Sequence, residues 1–201
     1  MKKTILLFFT FFSVVTISMA QVSLVPKAGI TIANLAFDDD FDSQKSLIGF
    51  TGGLGFNFAL TPDEFLSLQP EVLYVQKGAA AEPAGVDFKY TLNYLEVPVL
   101  VKIGFGSDVV KAYVNLGPSV SYLLNSKLKG DNFSFAQEGD DEKRLDFGAN
   151  FGGGIGFALG AASSIFLDAR YNAGLADVFD GQKSKNQVFY LTAGFKVPLS
   201  R

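Results

Sequence analysis

From residue 21 onward, apolar and polar residues alternate over eight stretches of the sequence. The clearest stretch is residues 66–76, where Leu68 and Val72 lie on one face of an extended chain and Gln69 and Glu71 lie on the other. A strand that separates lipid from a polar interior requires this period of two. The pattern therefore predicts an all-β fold, an eight-stranded antiparallel transmembrane β-barrel.

The connections between these stretches support an up-and-down meander. The predicted strands are residues 22–35, 47–60, 65–77, 88–104, 109–124, 145–159, 164–175 and 187–199. Long polar connections (36–46, 78–87, 125–144 and 176–186) alternate with short ones (61–64, 105–108 and 160–163). Outer-membrane barrels have long extracellular loops and short periplasmic turns, so both termini are expected on the periplasmic side.

The first twenty residues have the pattern of a secretory signal peptide. Lys2 and Lys3 precede an apolar run over residues 5–17, and small residues occupy positions 18 and 20. A membrane-anchoring helix is the alternative, but the run is shorter than the roughly 20 residues that span a bilayer. The predicted organisation is a signal peptide over residues 1–20, cleaved after Ala20, and an outer-membrane β-barrel domain over residues 21–201.

The composition excludes several classes of function. The chain has no histidine and no cysteine, which argues against an enzyme with a nucleophilic triad, a transition-metal site or a disulfide framework. Removing Lys2 and Lys3 from 17 basic residues leaves 15 against 20 acidic ones, so nucleic acid is not an expected partner. The acidic runs at 38–42 and 138–142 lack the spacing of a calcium loop and are interpreted as solvated loop tips. No cofactor and no metal are predicted.

The outward faces of the predicted strands are continuous apolar rows. They include Leu95, Val97, Val99, Val101 and Ile103 on the fourth strand, and Phe189, Leu191, Phe195, Val197 and Leu199 on the eighth. A soluble barrel of lipocalin type would have the inverse pattern, apolar inside and polar outside. Since the charged residues share their face with glycines, the membrane barrel is favoured.

The inward face is predicted to carry a polar network of Glu71, Glu96, Lys102, Lys111, Asp168 and Arg170. Eight strands enclose only enough space for side chains, so buried charges must pair. Lys102, Lys111 or Arg170 are the expected partners that neutralise Glu71 and Glu96. For Glu96 the prediction is an ion pair with Lys102, Lys111, Lys77 or Arg170. A catalytic pair of carboxylates is the less favoured alternative.

Four segments resemble a known family. Residues 68–78 (LQPEVLYVQKG), 92–102 (LNYLEVPVLVK), 117–124 (GPSVSYLL) and 168–172 (DARYN) are similar to the PorT-family outer-membrane β-barrel domain of Bacteroidota. The resemblance implies a barrel in the outer membrane of a Gram-negative bacterium and brings no catalytic residues. One family member serves secretion and gliding machinery. Such barrels usually end on an aromatic residue, whereas this chain ends Leu199-Ser200-Arg201.

Two functional hypotheses follow. The first is a non-enzymatic structural or accessory component of a larger outer-membrane assembly of secretion or uptake type, or a barrel that presents its loops to a partner. In that case outer-membrane lipid and other outer-membrane or periplasmic proteins are the expected partners, and Phe133 and Phe135 in the loop 125–144 are candidate contacts. Alternatively, the two phenylalanine rings fold back onto the barrel rim. The second hypothesis is a narrow channel for ions or small solutes.

Overall fold

A computed structural model describes residues 21–37, 44–82, 88–130, 133–137, 143–160, 163–178 and 184–199. Within these ranges no helix is long and apolar enough to cross a membrane. The strands are β1 (Val22–Phe37), β2 (Gln44–Lys45), β3 (Leu47–Ala59), β4 (Leu66–Ala81), β5 (Phe88–Gly106), β6 (Val110–Gly130), β7 (Phe133–Gln137), β8 (Leu145–Gly160), β9 (Ser163–Gly174) and β10 (Ser184–Pro198).

Eight of these strands form a closed antiparallel barrel. In the order β1, β3, β4, β5, β6, β8, β9 and β10, each strand pairs with the next, and β10 pairs with β1 to close the barrel. The predicted eight-stranded meander is confirmed. Short connections join β3 to β4, β5 to β6 and β8 to β9 at one end of the barrel, which we call the turn end. The longer connections belong to the opposite end, the loop end.

The two faces of the strands follow the predicted alternation. On β5, the outward row Leu95, Val97, Val99 and Val101 is 39–45% exposed, whereas Glu96 is 0% exposed. The ten residue steps from Leu95 to Phe105 extend about 33 Å along the strand, or about 25 Å along the barrel axis at a 40° tilt. This height matches the apolar band of an outer-membrane barrel.

The outer surface of β4, β5 and β6 becomes polar toward the loop end. Asn93 accepts a hydrogen bond from the Tyr74 hydroxyl at 2.7 Å and donates one to Asn125 Oδ1 at 2.6 Å. The register of β5 against β6 shifts at the adjacent Asn93–Tyr94 step. These amide and hydroxyl contacts mark the upper limit of the apolar band on this side of the barrel.

The interpretation of residues 125–144 as one long loop was wrong for part of that segment. Strand β6 continues to Gly130 and pairs with β7, and β4 and β5 continue as a ladder to Ala81 and Phe88. Together they form a sheet extension above the barrel, made of the loop-end parts of β4, β5 and β6 with β7. The backbone of Phe133 and Phe135 belongs to β7, but their side chains lie outside the described part of the structure.

Inward-facing glycines on β8 make room for side chains from neighbouring strands. A Cβ atom at Gly148 would lie 2.6 Å from the Asn172 amide, and one at Gly154 would overlap the Tyr113 hydroxyl. Both contacts are closer than real Cβ atoms make. The glycine face predicted from the sequence thus accommodates the polar side chains of the interior.

Candidate functional site in the barrel interior

The alternation of β1, β4, β6 and β9 directs a first group of polar side chains inward, which we call the Glu71 cluster. Glu71 accepts hydrogen bonds from Lys27 at 2.6 Å, from Arg170 Nη1 at 3.0 Å and from Gln69 at 2.5 Å. Arg170 also pairs with Asp168 at 3.1 Å, and Asp168 accepts a hydrogen bond from Asn115 at 2.8 Å. Two cations therefore neutralise two carboxylates in a buried network.

A second group, the Glu96 cluster, lies nearer the loop end and consists of Lys77, Glu96, Ser121, Asp146, Asn186 and Tyr190. Lys77 Nζ lies 2.8 Å from Glu96 and 3.1 Å from Asp146. Hydroxyl groups complete the carboxylate's shell, since Ser121 donates to Glu96 at 3.0 Å and Tyr190 at 3.2 Å. Asn186 donates to Asp146 at 2.9 Å.

The contacts of Lys77 confirm that Glu96 pairs with one of the four predicted cations. Lys102, Lys111 or Arg170 were the predicted partners of the two carboxylates, and Arg170 does pair with Glu71. The prediction was wrong for Lys102 and Lys111, because Lys27 is the second cation at Glu71 and Lys77 binds Glu96. The two carboxylates are held by separate cations. This arrangement supports a structural role for Glu71 and Glu96.

Apolar side chains close the barrel above the Glu96 cluster. Leu35, Leu92, Tyr94, Leu123 and Val178 pack together, and each is 5% exposed or less. Val178 belongs to the connection after β9, and its backbone accepts a hydrogen bond from Lys143 at 2.9 Å and donates one to Ser184 at 2.8 Å. These bonds fold the connection over the barrel. We call this group the loop-end plug.

The loop-end plug was not predicted from the sequence, because apolar residues were assigned to the lipid face. The inward row of β4 in fact mixes the two types: Glu71 is followed by buried Leu73 and Val75 and then by Lys77. The signal available in the sequence was that Leu73 and Val75 lie on the same face of the strand as Glu71 and Lys77. Leu73 and Val75 pack with Val188 and Tyr190 from β10 in the upper half of the interior.

The turn end contains a cavity of about 240 Å³. We call it the turn-end cavity; its lining includes Gln69, Lys102, Lys111, Tyr113, Phe166, Lys196, Glu64 and Asp108. Lys111 therefore lies at the mouth of the barrel rather than in the buried network, with 36% of its side chain exposed. The placement of Lys111 beside Glu71 and Glu96 is corrected accordingly.

Glu64 reaches across the mouth of the turn-end cavity from the connection between β3 and β4. Its backbone adopts φ = +60°. Its carboxylate accepts hydrogen bonds from Lys196 at 2.5 Å and lies 3.5 Å from Lys111. Burial acts to raise the pKa of Glu64, but the hydrogen bond and the charges of the two lysines outweigh it, so the pKa is lowered.

Lys102 lies deeper in the turn-end cavity. Its Nζ donates to Gln69 Oε1 at 3.0 Å and lies 3.8 Å from the centre of the Tyr113 ring. Within the described ranges, no carboxylate lies within 4.0 Å of this ammonium group. Lys102 is therefore inward-facing, as predicted, but without the predicted ion pair.

The described residues offer no cluster of three or more histidine, cysteine, aspartate or glutamate side chains that could hold a metal ion. The carboxylates of the interior are already bound to lysine and arginine. The described interior holds paired charges, and its turn end contains a cavity.

Residues 18–180 match the family model described as outer membrane protein beta-barrel domain. The chain belongs to this family. It is therefore an outer-membrane β-barrel protein, and its lipid-facing rows and closed strand ladder are what this location requires. A search of curated proteins found no relative with significant similarity.

Two solved structures illustrate the fold. Neisserial surface protein A is 15% identical with a TM-score of 0.54, over 88% of this chain and 97% of that one. A major outer membrane protein from Thermus thermophilus is 11% identical with a TM-score of 0.55, over 89% and 99%. At these identities the similarity establishes the barrel architecture alone.

Proposed function

We propose that this protein is a non-enzymatic structural or accessory component of the outer membrane, which joins a larger assembly of secretion or uptake type or presents its loops to a partner. In this proposal it belongs to the PorT-like barrels of Bacteroidota, and its signal peptide is cleaved after Ala20. The turn end faces the periplasm and the loop end faces the outside. Outer-membrane lipid surrounds it.

The observation that carries the proposal is the filled interior. The Glu71 and Glu96 clusters occupy the middle of the barrel with paired charges, and the loop-end plug covers them with apolar side chains. A barrel whose interior is occupied in this way acts through its surfaces. The sheet extension supplies such a surface, because β4, β5 and β6 continue well beyond the apolar band.

The test is co-purification from native membranes after mild cross-linking. The wild-type barrel is expected to retain a partner that the Phe133→Ala, Phe135→Ala double variant loses. Lys45→Ala, an exposed change at the loop end, is the matched control and should retain it. A barrel that runs alone on native gels under all conditions contradicts the accessory role.

The turn-end cavity is the observation that favours the second hypothesis, a narrow channel. Conduction would need a continuous polar path past Lys102, Glu71 and Glu96 and through the loop-end plug. Planar-bilayer recordings decide between the two. We expect no conductance from the wild-type protein or from Glu96→Ala; discrete, ion-selective openings of the wild-type protein would support the channel instead.

A further inference from the structure

Among the residues that the structure describes, no carboxylate lies within ion-pair distance of Lys102. Above it, Lys27 and Arg170 already neutralise Glu71 and Asp168. The contacts of Lys102 are a neutral amide oxygen and the faces of two aromatic rings, Tyr113 at 3.8 Å and Phe166 at 6.0 Å. A buried ammonium group without a carboxylate within ion-pair distance has lost hydration, and a bound anion would compensate for that loss.

The mouth of the turn-end cavity adds two more cations. Lys111 and Lys196 line the same space, and the carboxylate of Glu64 bridges them. Asp108 is a further carboxylate of the lining. Among the described residues of the lining, three lysines thus face two carboxylates. The carboxylate that pairs at the mouth is supplied by a short connection rather than by a barrel strand.

The volume of the turn-end cavity limits the size of a molecule that it can hold. A volume of about 240 Å³ is smaller than the roughly 300–1,000 Å³ of sites for drug-sized ligands. It suits a molecule smaller than a drug-sized ligand. The cationic groups and the aromatic faces of Tyr113 and Phe166 leave an anion with oxygen atoms as the chemically matched class, because charge-assisted hydrogen bonds from lysine are strongest to such oxygens.

We propose that the turn-end cavity is a binding site for a small anion that carries phosphate or carboxylate oxygens, with Lys102 as its principal ligand. The anion forms the ion pair that Lys102 lacks in the barrel itself. Glu64 is the internal anion of this site: it holds Lys111 and Lys196 at the mouth and competes with an entering anion for both. Removal of its charge therefore strengthens binding.

The test is a titration of the refolded full-length barrel in neutral detergent with inorganic phosphate and, separately, with succinate. The readout is the midpoint of thermal unfolding, followed by circular dichroism, with sodium chloride at matched ionic strength as the reference. Wild-type protein should show saturable stabilisation by one or both anions beyond the chloride effect. Comparison of the phosphate and succinate titrations shows whether the site binds phosphate or carboxylate oxygens.

The variants make the test specific. Lys102→Met should raise the half-saturating concentration at least about tenfold, and Glu64→Gln should lower it about threefold. Lys129→Met, on the exposed sheet extension, is the matched control and should change neither. If Lys102→Met does not refold, Glu64→Gln decides alone.

Several results would overturn the anion site. These are stabilisation no greater than that of chloride, unchanged affinity in Lys102→Met, or equal or weaker binding in Glu64→Gln. Chemical shifts of labelled Tyr113 and Phe166 provide an independent readout, because both rings contact Lys102. Saturable shifts should follow the same concentration dependence; their absence in the wild-type protein contradicts the proposal.

Discussion

At the scale of single residues, the interior is governed by the loss of hydration of its charges. Lys77 is the sole lysine of the Glu96 cluster and contacts two carboxylates, Glu96 and Asp146, at 2.8 and 3.1 Å. Its side chain is 1% exposed. Such a group contributes little net stability compared with an apolar core, but its removal leaves the partner charges buried and unpaired.

Lys77→Met should therefore destabilise the barrel by about 3–5 kcal/mol. The physical reason is that Glu96 and Asp146 lose their common cation. Reversible unfolding by urea or guanidinium in detergent or lipid vesicles measures the change. The double variant Lys77→Met, Glu96→Gln should recover part of the loss, since it removes one unpaired charge. A loss below about 1 kcal/mol in the single variant would show that water reaches the cluster.

Glu64 gives the turn end a dependence on pH. Its pKa is lowered in the folded state by Lys196 and Lys111 despite burial. A lowered folded pKa contributes stability that is fully present above the unfolded pKa, about 4.3, and is lost as the pH falls through the folded value. The difference in unfolding free energy between wild type and Glu64→Gln should thus be constant from pH 7 to about pH 5 and vanish in stronger acid.

The control for Glu64 is Glu82→Gln. Glu82 pairs with Lys45 at the exposed loop end, where solvent screens the interaction. Its replacement should change the stability little at any pH in the absence of added anions. A difference for Glu64→Gln that persists unchanged at about pH 3 would show that the carboxylate contributes through its shape rather than its charge.

At the scale of strands, the glycines of β8 allow a tightly filled interior. Gly154 and Gly156 both face inward, but a Cβ atom at Gly154 would overlap the Leu167 carbonyl oxygen, whereas at Gly156 the nearest atom is 3.6 Å away. Gly154→Ala should destabilise the barrel by about 1–3 kcal/mol through overpacking. Gly156→Ala is the matched control and should be neutral. Denaturant unfolding of both variants checks the pair; equal effects would contradict the packing argument.

The strands could be predicted from the sequence because lipid imposes a period of two on their outer face. The fifth predicted strand, residues 109–124, begins as expected and then continues to Gly130 as β6. Its continuation was missed because residues beyond the membrane no longer alternate between lipid and interior. Polar residues such as Lys127 and Lys129 then resemble a loop, although β5 and β7 pair with them.

The ion pairs were harder to predict, because alternation gives the direction of a side chain but not its height in the barrel. Glu96 pairs across β4 and β5 with Lys77, whose Cα lies opposite Leu92, four residues toward the loop end. Lys102 lies six residues in the opposite direction on the strand of Glu96 itself. The stagger between strands therefore decides which lysine meets which carboxylate, and a single sequence does not reveal it.

At the scale of the whole molecule, the barrel is asymmetric along its axis. The loop end is closed by apolar packing, the middle is a paired polar network, and the turn end contains a cavity lined by lysines. The two ends should therefore differ in their accessibility to water-soluble reagents. Since the chain has no cysteine, single cysteine substitutions can report on each end without background.

Ala158→Cys, in the lining of the turn-end cavity, should react readily with a small membrane-impermeant thiol reagent in detergent. Ala33→Cys, at an interior position that is 0% exposed, should react slowly, because Leu73 and Val75 pack around it. On intact cells the orientation decides the outcome. If the turn end faces the periplasm, Ala158→Cys is protected from a reagent too large for outer-membrane pores, while Lys45→Cys at the loop end is labelled. Labelling of Ala158→Cys and protection of Lys45→Cys on intact cells would invert the proposed orientation, and with it the compartment from which the cavity is filled.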